Sequence, residues 1–164
     1  MDFRLPCFLK ANTSGHKTEV GAVAKCENVD EAKKAFRNLK KKFGEVILQE
    51  NSDGVEMIVG LKEDAAFGKV VVVGFGGIFA EVKKDVVFRA LPVLRRDVVA
   101  MTKELSEFGV FSARGKKYNL EKFYTLVEKV AYLGEKFNIK ELDLNPVMVG
   151  EKNVRIVDVR VELE

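Results

Sequence analysis

The segment from Glu141 to Glu162 contains the pattern that most restricts the fold, two runs of alternating apolar residues separated by a short polar turn. The first run ends at Val149, the turn covers residues 150–153, and the second run begins at Val154. Two such runs joined by a few residues that include Gly and Asn predict an antiparallel hairpin. If Val149 faces Val154, the same register puts Asn145 opposite Asp158.

The side chains of this predicted hairpin divide between two faces, because successive strand residues point to opposite sides. The polar face would carry Glu141, Asp143, Asn145, Asp158, Arg160 and Glu162, with Asp143 opposite Arg160, and the apolar face Leu142, Leu144, Val157, Val159 and Val161. Carboxylate and amide oxygens, without His or Cys, suit Mg²⁺ held between protein and phosphate oxygens. The alternative is a solvated hairpin face that binds nothing.

Composition and charge indicate a globular protein. A chain of 164 residues with 47% hydrophobic composition can bury one core or two small lobes. The net charge is only +3, and the basic excess lies on one predicted helix, which favours a solvated face over a nucleic-acid patch. No signal-peptide pattern and no apolar run of about 20 residues is present. We therefore expect neither a nucleic acid nor a membrane as partner.

Cysteine usage favours a reducing, cytoplasmic setting. The two cysteines, Cys7 and Cys26, lie inside apolar runs, without a Cys-x-x-Cys motif and with a single histidine in the chain. This set cannot complete a zinc site, and it does not resemble a disulfide framework.

Hydrophobic periodicity predicts an α+β fold. Strands are expected over Phe3–Lys10, Thr18–Cys26, Val46–Glu50, Val55–Leu61, Lys69–Val73 and Asp85–Arg89, and helices over Val29–Phe43, around Arg95–Glu107 and over residues 120–137. The strands Val46–Glu50 and Val55–Leu61 flank a turn and could form a hairpin. A change of composition near residues 59–68 predicts two lobes, residues 1–60 and residues 61–164.

Three glycines follow the predicted strand over Lys69–Val73 directly. Gly74, Gly76 and Gly77 would let the backbone turn sharply and bring N–H groups close to a phosphate. The spacing is not that of a G-x-G-x-x-G motif, because position 79 is Phe, nor that of a Walker motif. On pattern alone, a tight structural turn is the preferred interpretation.

His16, the only histidine, lies in a loop of small polar residues beside Lys17. Imidazole can carry a phosphoryl group, and a cation-flanked polar loop suits that role, although a lone histidine is commonly incidental. Lys10 ends an apolar strand and could place its ammonium over phosphates, or it could simply extend into solvent. Glu50 and Glu56 bracket a turn, and their alternative interpretation is solvated strand ends.

Taken together, several segments resemble the ATP-grasp β subunit or domain of the ADP-forming (NDP-forming) acyl-CoA synthetases, a family known chiefly from archaea and related to succinyl-CoA synthetase. Their order and spacing make the set specific, and it extends over most of the chain. The segments are Leu9-Lys10, His16 to Gly21, Gly54 to Gly60, Phe67-Gly68, Gly74 to Val82, Lys84 to Arg89, Arg114-Gly115, Glu141 to Pro146 and Asp158 to Arg160.

The resemblance implies an ATP-grasp fold, in which two α+β lobes with antiparallel sheets enclose ATP or ADP with Mg²⁺. By this resemblance Asn145 and Asp158 are metal ligands, and His16 receives phosphate and relays it to ADP. Lys10 binds nucleotide phosphate, and Gln49 with Glu50 lies beside adenine. The other residues that the resemblance assigns to the nucleotide site are Lys17, Glu56, Gly76, Gly77, Glu81 and Arg114.

Members of this family convert acyl-CoA, ADP and phosphate reversibly to acid, CoA and ATP. The resemblance implies a CoA-binding α subunit as partner in a hetero-oligomer, through which acyl-CoA and phosphate enter. The absence of a Rossmann-type glycine motif from this sequence agrees with that division. The acyl substrate and the choice between ADP and GDP are left open.

The chain departs from the family pattern at a few positions. Only four residues precede the segment that matches from Leu5, so the first lobe is expected to be incomplete. Ala22 and Lys69 replace a frequent glycine and a frequent proline, and Ser112-Ala113 replaces a frequent Gly-Tyr. Two alternatives follow: an ATP-grasp homologue with only a nucleotide-binding or assembly role, and an ATP-grasp ligase of another substrate class.

Overall fold

The computed structural model describes residues 4–12, 21–77 and 85–163, without the side chain of Arg114. The chain divides into two compact units, Met1–Ser52 and Asp53–Glu164. This division lies before the predicted boundary between residues 60 and 61. The reason is that residues 60 and 61 lie within one continuous strand, Val55–Asp64, that pairs on both sides.

The first unit is a three-stranded antiparallel sheet with one helix. Its elements are β1 (Cys7–Ala11), β2 (Val23–Cys26), α1 (Val29–Phe43) and β3 (Val46–Glu50), with the sheet order β2-β1-β3. Helix α1 forms as predicted, because its apolar residues recur at helical spacing, Asn28 caps its first turn and Gly44 ends it. A small core lies between helix and sheet, built from Cys7, Leu9, Cys26, Ala32 and Leu39.

The second unit is a six-stranded antiparallel sheet with helices against one face. Its elements are β4 (Val55–Asp64), β5 (Gly68–Phe75), β6 (Val86–Ala90), α2 (Arg95–Lys103), a 3₁₀ segment (Phe108–Gly115), α3 (Leu120–Lys136), β7 (Ile139–Val149), β8 (Val154–Ile156) and β9 (Val159–Leu163). The sheet order is β6-β5-β4-β7, and β8 and β9 both pair with β7.

The core of this unit lies between the helices and one face of the sheet. Its buried residues come from β4, β5 and β7 and from both helices, and they include Met57, Val73, Phe123, Val127 and Val147. We call the opposite side of the sheet, which faces away from α2 and α3, the distal face. Glu56, Met148 and Asn145 belong to the distal face, because their neighbours Met57, Val147 and Leu144 point into the core.

Two sequence predictions were wrong in detail. The strands Val46–Glu50 and Val55–Leu61 do not form a hairpin, because β3 pairs with β1 whereas β4 pairs with β5 and β7. The helix expected around Arg95–Glu107 ends at Lys103, where Glu104 closes the last turn.

No helix in the described ranges is both long enough and apolar enough to cross a membrane.

Candidate functional site

The strands β7, β8 and β9 bring two predicted metal ligands together. Val149 pairs with Val154 and Asp143 with Arg160, so the predicted register is confirmed. Between these pairs, the backbone N–H of Asn145 donates a hydrogen bond of 3.2 Å to the carbonyl of Asp158. The backbones of Asn145 and Asp158 are therefore in contact, and their amide and carboxylate side chains start from neighbouring positions.

The alternation of β7 side chains between the two faces of the sheet is interrupted at Asn145 and Pro146. Leu144 and Val147 are both buried, so Asn145 and Pro146 together take the place of a single outward-facing residue. Val157 lies opposite Pro146 and donates a 3.0 Å hydrogen bond to its carbonyl. Of the predicted apolar face, Leu142 and Leu144 belong to the core cluster, whereas Val157, Val159 and Val161 do not.

The glycine turn after β5 packs against Glu56 of β4. The N–H of Gly76 donates a 2.8 Å hydrogen bond to the carbonyl of Glu56. Gly77 has a φ of +60°, and a Cβ added there would lie 2.2 Å from Oε2 of Glu56. The structure thus brings three predicted nucleotide-site residues into contact. The Gly76 N–H is hydrogen-bonded within the protein, which agrees with the interpretation of these glycines as a tight structural turn.

Glu56 also connects this turn to the strand that carries Asn145. It pairs with Met148 on β7, three residues from Asn145, and both belong to the distal face. Across β7, Met148 pairs with Arg155 of β8. Glu56, Gly76, Gly77, Asn145 and Asp158 consequently lie in one region of the second unit.

Asp85 is a positioning residue that the sequence predictions did not single out. Its carbonyl accepts a hydrogen bond from the Phe75 N–H, 3.2 Å, beside the glycine turn. Its carboxylate accepts from the amides of Ser106, 3.2 Å, and Glu107, 3.4 Å, in the segment that follows α2. The sequence did contain a signal for this role. Asp85 stands at the start of a predicted strand, a position from which its carboxylate can bind free backbone amides.

In the first unit, Lys10 and Gln49 lie on the same face of the sheet. Lys10 pairs with Ile47 and Gln49 with Phe8, and this face is opposite the one that Cys7 and Leu9 bury against α1. Glu50 pairs with Cys7, so its side chain starts from the α1 side of the sheet. The structure therefore brings Lys10 and Gln49 to one face and does not bring Glu50 to it.

His16, Lys17 and Glu81 lie outside the described residues, as does the side chain of Arg114. Their assigned roles remain predictions.

The oxygen donors of Asn145 on β7 and of Asp158, directly before β9, fit a hard cation that also binds phosphate and water. Within the described ranges no three His, Cys, Asp or Glu side chains are grouped closely enough to hold a metal ion alone. Asn145 and Asp158 offer an amide oxygen and a carboxylate, and Asn145 is exposed. Mg²⁺ commonly uses one or two protein carboxylates or amides and completes its octahedron with water and phosphate oxygens. Two opposed oxygen donors on an accessible face fit that chemistry.

The sequence matches one protein family over nearly its whole length. The model of that family, described as an ATP-grasp domain, matches residues 2–163. The chain is 35% identical over 162 residues to the β subunit of acetate–CoA ligase (ADP-forming) I from Pyrococcus furiosus, and the match covers 90% of this chain and 70% of that subunit.

A second relative is much longer. The chain is 36% identical over 151 residues to acetate–CoA ligase (ADP-forming) II from Archaeoglobus fulgidus, and this match covers 89% of the chain but 22% of that protein. The chain thus corresponds to most of a separate β subunit and to less than a quarter of this larger ligase.

Among solved structures, the chain resembles a dinucleotide-forming acetyl-coenzyme A synthetase 1 from Ca. Korarchaeum cryptofilum, in complex with coenzyme A and Mg-AMPPCP. The TM-score is 0.83 at 31% identity, covering 98% of this chain and 77% of that one. The α+β architecture with antiparallel sheets agrees with this match. The chain therefore belongs to the ATP-grasp domain family, and within it resembles the β subunits and domains of ADP-forming acetate–CoA ligases.

Proposed function

We propose that this chain is the nucleotide-binding β part of an ADP-forming acyl-CoA synthetase, which converts acyl-CoA, ADP and phosphate reversibly to acid, CoA and ATP. The observation that carries the proposal is the backbone hydrogen bond from Asn145 on β7 to Asp158, directly before β9. The relatives named above, both ADP-forming acetate–CoA ligases or parts of them, support the reaction class.

In this proposal Asn145 and Asp158 hold Mg²⁺ at the edge of the distal face. When bound, the ion would neutralise charge on the phosphate oxygens of ATP or ADP. The presence of Mg-AMPPCP in the Korarchaeum structure supports this choice of metal and nucleotide. The two side chains supply only oxygen donors, so a soft metal such as zinc is disfavoured.

The glycine turn would close the phosphate end of the site. Glycine at position 77 leaves room for the carboxylate of Glu56, which a Cβ there would meet. We assign the backbone of this turn to the phosphate end of the site. Glu56 fixes this turn through its carbonyl, and Asp85 fixes the adjoining end of β5. We assign the remaining nucleotide contacts to Lys10, Lys17, Gln49, Glu50, Glu81 and Arg114.

His16 would carry the phosphoryl group between the two halves of the reaction. Its neutral imidazole nitrogen attacks the phosphorus of an acyl phosphate, so a P–N bond forms, the P–O bond to the acyl group breaks and the carboxylate leaves. A terminal oxygen of ADP then attacks the same phosphorus, the P–N bond breaks, and ATP and free imidazole result. Lysine side chains would offset charge on the phosphoryl oxygens, and alignment of the reacting atoms would supply much of the rate.

The acyl-CoA half of the reaction requires a partner in this proposal. We assign it to a CoA-binding α subunit, through which acyl-CoA and phosphate enter. The β-subunit name of the Pyrococcus relative and the larger size of the Archaeoglobus ligase support a two-part enzyme. The acyl specificity would then belong to that partner.

The test combines this chain with a CoA-binding α subunit, acetyl-CoA, phosphate, ADP and Mg²⁺. We expect ATP formation and an acid-labile, base-stable phosphoryl group on the chain. Both should be lost in His16→Ala, whereas His16→Ala should still bind Mg·ADP. ATP formation that persists in His16→Ala would contradict the relay, and turnover without CoA would indicate a ligase of another class. Replacing ADP by GDP in the same assay measures the base preference.

A further inference from the structure

Strand β9 is an open edge of the second sheet. It pairs with β7 on one side, and among the described residues no strand pairs with its other side. All five of its residues, Val159–Leu163, are exposed. An exposed strand edge offers backbone N–H and C=O groups that can hydrogen-bond to another strand.

The backbone groups of Val159 and Val161 point away from β7. The hydrogen bond from the Asn145 N–H to the Asp158 carbonyl directs residue 158 towards β7. Antiparallel hydrogen bonding alternates residue by residue, so Arg160 and Glu162 also direct their backbone groups towards β7. The backbone N–H and C=O groups of Val159 and Val161 therefore point to the open edge of the sheet.

The side chains of β9 form an apolar row and a charged row. Val159, Val161 and Leu163 share one face and are 51%, 51% and 67% exposed, respectively. Arg160 and Glu162 occupy the other face. Natural edge strands are commonly protected by Pro, by lysine or by charges within the apolar row. The apolar row of β9 has none of these.

We infer that a second copy of this chain pairs with β9, antiparallel, across a two-fold axis at Val161. In this register Arg160 of each copy faces Glu162 of the other, and Val159 faces Leu163. A two-fold axis at residue 160 would oppose two arginines, and an axis at residue 162 would oppose two glutamates. Like charges directly opposed across strands destabilise the pair, so charge selects the register centred on Val161.

The charges around Glu162 also favour a second copy of this chain as the partner of β9. Glu162 lies opposite Glu141 on β7, and Lys140 forms an ion pair with it. In the dimer, Arg160 of the second copy would bring another cation to this pair of carboxylates. The interface is isologous, since each copy contributes the same strand, and it joins two six-stranded sheets into one continuous sheet.

The oligomeric state tests this inference without any assay of activity. We expect sedimentation velocity to show a monomer–dimer equilibrium whose dimer fraction rises with concentration. Val161→Lys should give a monomer, because it puts two ammonium groups on the two-fold axis. Tyr132→Lys is the matched control, since Tyr132 is a similarly exposed apolar side chain on α3, and it should leave the equilibrium unchanged.

Charge reversal tests the register. Arg160→Glu and Glu162→Arg should each raise the dimer dissociation constant about tenfold or more, because each opposes like charges across the axis. The double variant restores opposite charges, so its dissociation constant should return towards that of the unchanged chain. Far-UV circular dichroism of every variant checks that the fold is retained.

A cysteine at the axis gives a second, independent readout. Val161→Cys should form a covalent dimer on mild oxidation, whereas Tyr132→Cys should not. The background is low because Cys7 and Cys26 are buried, and burial, reinforced by the neighbouring Cys7 and Glu31, raises the pKa of the Cys26 thiol.

A chain that stays monomeric at every concentration would overturn the inference, as would a dimer that Val161→Lys leaves intact. Protection of the Val159 and Val161 amides from hydrogen exchange only after a different subunit is added would also overturn it, in favour of that subunit.

Discussion

At the scale of single residues, the proposed metal site depends on two oxygen-bearing side chains, Asn145 on β7 and Asp158 directly before β9. A backbone hydrogen bond joins Asn145 to Asp158, and neither residue belongs to the core cluster. A substitution at either position should therefore change what the site binds and leave the sheet intact. The glycines beside Glu56 differ, because they allow the backbone itself to turn.

Asp158→Asn should weaken binding of Mg·ADP and leave the fold intact. The amide retains the shape of the carboxylate but removes its charge, so we expect an affinity loss of about tenfold, or ~1.4 kcal/mol. Isothermal titration calorimetry with Mg²⁺ and with EDTA measures the effect, which should disappear in EDTA. Asp143→Asn is the matched control, because it removes the same charge two residues from Asn145. Equal Mg·ADP affinity in Asp158→Asn and the unchanged chain would contradict the metal assignment.

Gly77→Ala should destabilise the second unit by about 1–2 kcal/mol, the cost of a left-handed backbone for a residue with a Cβ. The new methyl group would also displace the carboxylate of Glu56, which lies 2.2 Å from the ideal Cβ position. Urea unfolding followed by tyrosine fluorescence measures the change. Gly109→Ala is the control, since nothing lies within 4 Å of its Cβ position and its φ is not in the left-handed region. Equal stability of the two variants would contradict the prediction.

At the scale of elements, the ends of α1 show how local sequence sets a boundary. Asn28 accepts a 2.9 Å hydrogen bond from the Glu31 N–H, and Glu31 accepts a 2.8 Å bond from the Glu27 N–H. The N–H of Gly44 bonds to the Lys40 carbonyl and ends the helix. These signals lie within a few residues of each other, which is why the extent of α1 could be predicted from sequence.

Asn28→Ala should destabilise the first unit by about 1 kcal/mol, because the first turn of α1 loses its side-chain cap. Hydrogen exchange measured by mass spectrometry should show faster exchange in α1 and β1 and no change in β4 or β7. Asn28→Asp keeps an oxygen at the capping position and should restore protection. The cap would have no such role if Asn28→Ala and Asn28→Asp exchanged at the same rate.

The arrangement of strands was harder to predict than their existence. β4 pairs with β7, whose sequence lies far along the chain, and alternation alone does not identify a distant neighbour. The turn at residues 150–153 did fix the register of Asn145 with Asp158, because a short turn leaves few alternatives. The extra residue at Asn145–Pro146, where the register of β7 with β4 shifts, was not predictable from that turn.

At the scale of the whole molecule, the two units have cores of very different size. The first buries mainly small side chains, such as Cys7, Cys26 and Ala32, against a single helix. The second buries Phe75, Phe123 and Met57 among many aliphatic residues from three strands and two helices. Less apolar area removed from water implies less stabilisation of the first unit.

The first unit should therefore unfold at a lower urea concentration than the second. All three tyrosines lie in Asp53–Glu164 and the chain has no tryptophan, so tyrosine fluorescence reports on the second unit only. Far-UV circular dichroism reports on both. We expect the dichroism signal to change before the fluorescence signal, whereas coincident transitions would indicate one cooperative unit.

Different residues of strand β7 build the core and supply the proposed cation ligand. Leu142, Leu144, Val147 and Val149 build the core, and Asn145 stands apart from them. Selection can therefore act on ligand binding and on folding at separate positions of one strand. A lineage could lose the cation ligands by drift and keep an intact scaffold for its partners. The same separation offers a practical reagent, a chain altered at Asn145 and Asp158 that serves as a binding-silent reference in assembly experiments.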